Sequence, residues 1–167
     1  MTQPREDLDR IRGYLQQQAA QRTIDELIAR VQEGVDDLTT AAQGVPDTAL
    51  NAIPAGDEWT PMDCLRHAVS SNMHVAQQVL FAALEGHLPT DVEPEVPADR
   101  EAVLAAHAEA IDSLYVHVRA ADPEGNLELT WKHPFFGDLN WREWLLFLRI
   151  HSRDHARQLA AMSGASA

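Results

Sequence analysis

Eight histidines stand in this chain of 167 residues, and two of them, His151 and His155, are four apart. On a helix that spacing sends both rings off one face. A helical wheel places the pair beside Trp144, Leu148 and Leu159, facing the interior. Two imidazoles so placed can hold one edge of a divalent transition metal. The pair alone is a short motif that chance also produces. His67 offers a third imidazole, in the second turn of an earlier helix. If the two helices pack antiparallel, all three rings meet at one end of a bundle. Periodicity alone puts His67 opposite Leu65, Val69, Ala76 and Leu80, where a surface histidine is expected. A residue near the end of a bundle can nevertheless face a cleft rather than the core.

Three neutral imidazoles would leave a first-row metal with open coordination positions, whereas structural zinc sites are usually closed by four protein ligands. An open site lowers the pKa of a bound water or thiol. An all-imidazole set suits zinc, nickel or copper and does not separate them.

Other reactive types carry weaker expectations. His74 shares the face of His67 and, with Asp154, is the nearest candidate for a general base; a solvated surface role is favoured for His74. Cys64 reads as a small buried filler. His133 precedes the last helix in a His-Pro-x-x-Gly stretch, where a backbone hydrogen bond that fixes the loop is favoured over substrate contact. Gln158 shares a face with His151 and could fix the tautomer of a ligand histidine. His87, His107 and His117 have no partner at ligand spacing. Trp131, Trp141 and Trp144 read as packing residues.

Helices must position these groups. Thr23 and Glu26 form a capping box ahead of Ile24, Leu27, Ile28, Val31, Val35 and Leu38; Gly44 and Pro46 end that helix. Residues 5–21 are helix-compatible too, with Leu8, Ile11 and Leu15 on one face, either as a separate arm or continuous with the next helix. Thr60 caps the second core helix, Pro61 takes its first position and Gly86 closes it. Leu65, Val69, Met73, Ala76, Leu80 and Ala83 are its expected stripe. Residues 87–97 read as a linker. A third core helix starts near Asp99 and carries Val103, Leu104, His107, Ile111, Leu114 and Val118. Residues 126–139 alternate at Leu127, Leu129 and Trp131, with a turn expected at Gly137 and Asp138, so a short hairpin or structured loop is predicted. Asn140 caps the last helix.

The predicted class is all-α: a four-helix bundle over 23–163, a helical extension over 1–22 and a tail over 164–167. The helix from Pro61 is about 37 Å long. The linker after it can span roughly 36 Å. It therefore allows a long crossover that leaves the second and third core helices parallel.

Composition narrows the partners. The hydrophobic fraction of 45% is that of a folded chain, and the net charge of −13, with no basic cluster, argues against nucleic acid. No apolar run is long enough for a membrane span. The first residues show no apolar signal core, and the single cysteine fits a reducing compartment, so a cytoplasmic location is expected.

The segment from Trp59 and Thr60 to His67 and Ala68, together with His133-Pro-Phe-Phe-Gly137, Trp141, His151, His155 and Gln158, resembles the DinB-like (YfiT-like) superfamily of metal-binding four-helix bundles. The resemblance covers residues 23–163. It implies one divalent metal, nickel or zinc, on His67, His151 and His155, and the long crossover after the second core helix. It further implies either a metal-dependent S-transferase that uses a low-molecular-weight thiol such as mycothiol or bacillithiol on a small-molecule substrate, or a non-catalytic metal-binding bundle of stress-response type. Homodimers are common in the family.

Overall fold

The computed structural model describes residues 4–164, and its helices begin where side chains can satisfy their free N–H groups. These are α1 (Arg5–Gln21), α2 (Ile24–Gly44), α3 (Pro61–Glu85), α4 (Arg100–Ala120) and α5 (Trp141–Met162). Thr23 with Glu26, Thr60 with Asp63, and Asn140 with Glu143 each form a complete capping box. Asp99 caps α4 by accepting from the Ala102 N–H. Each such cap is worth about 1 kcal/mol. Gly86 ends α3 in the left-handed region, at φ +72°, which costs a glycine little.

Cross-helix contacts fix the directions. Arg149 pairs with Glu33 and Arg153 with Asp37, so α2 and α5 run parallel. Arg66 donates to the carbonyls of Val96 and Pro97, ahead of α4, while Asn126, beyond the end of α4, donates to Ala83. Thus α3 and α4 also run parallel, joined by the long crossover that the linker length allows. Cys64 lies by His155 and Asn72 by Ser152, which makes α3 antiparallel to α5. Gly34 lets α2 and α5 approach closely: a Cβ there would sit 2.7 Å from the Arg149 carbonyl oxygen.

The segment over residues 5–21 is a separate helix, broken from α2 at Arg22, whose backbone is extended. It is no free arm. Leu15 and Ala19 are buried, and the buried Arg142 guanidinium of α5 donates to the carbonyls of Ala19 and Arg22 at the end of α1.

Strands β1 (Thr130–His133) and β2 (Gly137–Asn140) form the antiparallel hairpin before α5, with Trp131 opposite Leu139 and His133 opposite Gly137. The turn lies one step earlier than Gly137 and Asp138. These residues open β2, and Pro134, Phe135 and Phe136 make the turn. His133 stabilises it, because its Nδ1 accepts from the backbone N–H groups of Phe135 and Phe136 at 3.0 and 3.2 Å.

The stripe of α3 is broader than its sequence suggests. Asn72, Val75 and Val79 are buried, while Met73 and Leu80 are only half-buried. The reason is that α3 packs against α4 and α5 at once, which buries more than a single stripe. No described helix is long and apolar enough to cross a membrane.

Candidate metal centre

The antiparallel run of α3 beside α5 brings His67 opposite the last turns of α5. One ring nitrogen each of His67, His151 and His155 lies within 4.8 Å of the others. His67 is exposed and the other two are half-buried. The wheel therefore read the exposure of His67 correctly. The exposed side of α3 at this point is the rim of a groove against α5, which one helix considered alone does not reveal. The Trp59 indole stands edge-on to the His67 ring, 5.0 Å between centroids, and limits where that ring can turn.

The tautomers are set from behind. Asn72 is fully buried. Its amide nitrogen lies 3.0 Å from both Ser152 Oγ and His107 Nε2, so its oxygen faces His151 Nδ1, 2.9 Å away. An amide oxygen only accepts, so His151 carries its proton on Nδ1 and its lone pair on Nε2. His155 Nδ1 in turn donates to Gln158 Oε1 at 3.0 Å, which frees its Nε2. The two Nε2 atoms then face each other at 3.1 Å.

Two lone pairs at that distance repel unless a cation lies between them. Burial pushes the His151 imidazole down to about 3, with the neighbouring histidines adding to the effect. His155 is also lowered, chiefly by burial. Protonation is thus a poor way to relieve the repulsion. Two nitrogens each about 2.1 Å from one ion would stand roughly 3.0 to 3.4 Å apart for angles of 90° to 109°. The spacing, the tautomers and the imidazole donor set therefore all fit a divalent transition metal.

The other candidates fall into place around this centre. Gln158 bonds His155, its neighbour three residues back, rather than His151. Cys64 is buried, 3.7 Å from His155 Nδ1, and burial, with Asp57 adding, pushes its thiol up to about 11, so it packs as a neutral thiol. His74 is not a freely solvated side chain. It pairs with Asp91 of the crossover at 3.4 Å and lines a cleft beside the cluster. Asp154 is held by Arg157 at 2.9 Å. His87 and His117 stay on exposed surface with local partners. Trp141 is fully buried and donates to the Gly125 carbonyl. Asn72 and His107 were the unrecognised contributors. Each is a polar residue on an otherwise apolar helix face, and that is the signal that could have found Asn72.

His67 and His151 open onto that cleft, which holds about 1170 Å³ between α3 and α5 and is bounded by the hairpin and by the crossover at Asp91, Glu93 and Pro94. Its wall beside the hairpin is aromatic, and Phe147 brings it within 5.5 Å of the His151 ring. Trp131 and Trp144 stack with centroids 5.4 Å apart and planes 6° from parallel, and Phe135, Phe136 and Phe147 extend the surface.

Fold and site together define a helical bundle with one short hairpin and a three-histidine cluster, two members of which line an open cleft. The chain belongs to the DinB superfamily, whose family model matches residues 28–159 and so includes all three histidines. It is also similar to TT2238, whose crystal structure is described as that of a four-helix bundle protein. The two share 27% identity at a TM-score of 0.59, over 83% of this chain and 99% of the other. No curated protein matches the chain.

Proposed function

We propose that this protein binds one divalent ion, zinc or nickel, on His67, His151 and His155, and uses it for S-transfer between a low-molecular-weight thiol and a small electrophile. The observation that supports this best is the convergence of the three ligand nitrogens beside the cleft, with His67 and His151 on its wall. A single-ligand pocket commonly occupies about 300–1,000 Å³. A cleft of about 1170 Å³ has room for a thiol and an electrophile side by side.

When bound, the ion supplies Lewis acidity that favours the thiolate form of a thiol at its open position. The chain supplies the rest. The three imidazoles hold the ion, and Asn72 and Gln158 keep their tautomers correct. The aromatic wall binds the apolar part of the electrophile and excludes water. His74, paired with Asp91 on the cleft wall, is the proposed acceptor of the thiol proton. Attack by the sulfur forms a C–S bond while the leaving group departs with its electron pair.

The test is a coupled assay on untagged protein loaded with zinc or nickel, in which a panel of thiols (mycothiol, bacillithiol, cysteine) is offered with monochlorobimane. Thioether formation that depends on both metal and thiol, and is abolished in His151→Ala, is the expected result. Stoichiometric metal without turnover for any pair would instead favour a non-catalytic metal-binding bundle.

A further inference from the structure

His133 does more than hold the turn. It is only 6% exposed, and its Nδ1 accepts two backbone N–H bonds. A neutral imidazole that accepts at Nδ1 must carry its proton on Nε2. Burial pushes this imidazole down to about 4, so it remains a neutral donor near pH 7. Among the described residues, Nε2 has no hydrogen-bond partner. It is not sealed in the core either, because Tyr115 Oη is the one wholly buried side-chain polar atom found without a partner among those residues. His133 lines the cleft, which makes this free N–H available to a molecule bound there.

The surroundings define what that donor can meet. Phe136 stacks on the ring at 4.5 Å, Phe147 stands edge-on at 4.6 Å and Trp144 lies at 5.2 Å. An apolar, flat group is favoured against such surfaces. The charged groups lining the cleft are three acids, Asp91, Glu93 and Asp154, against one base, Lys132. In the metal-free chain that balance disfavours an anionic acceptor. We infer that the His133 end of the cleft is a subsite for an uncharged hydrogen-bond acceptor, a carbonyl above all, carried on a flat apolar body. The inference rests on the proposed function only in taking this cleft as the place where a small molecule binds.

Acetophenone, its carbon isostere α-methylstyrene and benzoate are suitable probes, titrated by NMR into the untagged chain with and without zinc. A net neutral hydrogen bond implies that acetophenone binds roughly fivefold more tightly than α-methylstyrene. In the zinc-free titration benzoate is expected to bind more weakly than acetophenone, and tighter binding there would overturn the preference for an uncharged acceptor. The Nε2–H proton of His133 should move downfield with acetophenone alone. His133→Asn retains an acceptor at the Nδ1 position, so the turn is kept, and the preference should vanish. An unmoved Nε2–H signal, equal binding of the two neutral probes, no saturable binding of either, or a preference that survives in His133→Asn overturns the inference. A preference seen only with zinc would place the carbonyl on the ion and also overturn it. A preference that persists in a chain that fails to take up metal would leave the subsite standing and remove the proposed S-transfer.

Discussion

At the residue scale the site depends on which nitrogen of each imidazole carries the proton. His151 presents Nε2 because Asn72 occupies Nδ1, and Asn72 is oriented by His107 and Ser152 behind it. Reversing the amide would instead have it donate to His151 Nδ1 and put the His151 proton on Nε2, where it would block a metal. Asn72→Ala removes that constraint, and metal affinity is expected to fall ten- to a hundredfold, as is common when such supporting partners are lost. Competition against a chelator measures it; unchanged affinity would show that the tautomer is set elsewhere. The residue scale was partly legible in the sequence. His151 and His155 are visible as a pair because one helix fixes their relation. Asn72 and His107 were missed because a single polar residue on a helix face does not announce its partner across the bundle.

At the scale of elements, the cluster exists because two helices meet in one register. The ladder of Glu33 with Arg149 and Asp37 with Arg153 sets α5 along α2, and Gly34 allows the approach. Gly34→Ala puts a methyl into the Arg149 backbone, two residues ahead of His151. Helix propensity favours alanine, but the clash has no flexible side chain to absorb it. A net loss of about 2 kcal/mol in stability is expected, read as a lower urea midpoint. A stabilised variant would mean that α2 and α5 sit farther apart. The caps, helix limits and crossover were readable because local chemistry and chain reach determine them. The hairpin was readable as a hairpin but not in register, because the His133 side chain, not Gly137 and Asp138, determines where the chain turns. The face occupied by His67 was not readable, since it is defined by the neighbouring helix.

At the scale of the whole molecule, burying neutral histidines ties stability to pH. His107 is 1% exposed, and burial holds it at about 4. An unfolded imidazole titrates near 6.5. Below that value the unfolded chain binds the proton and the folded chain does not. The contribution of His107 is therefore complete above about pH 6.5 and is lost as pH falls toward 4. Between pH 7 and 5 the loss is on the order of 1–2 kcal/mol. The net charge of −13 acts in the opposite direction, because acid relieves self-repulsion. The useful comparison is therefore with His107→Gln, which keeps an acceptor for Asn72 and does not titrate. In urea titrations of metal-free protein, the wild type should lose that much more stability than the variant over this range. Identical pH slopes would mean that His107 is not held neutral.

That His67, His151 and His155 form one metal site is tested most directly by equilibrium dialysis of the untagged, metal-stripped chain against zinc, beside His151→Ala. One ion per wild-type chain, with binding at least about a hundredfold weaker in the variant, is the expected result, since a ligand is lost and not merely a supporting contact. Equal zinc in both proteins, or no saturable zinc in the wild type, would contradict it.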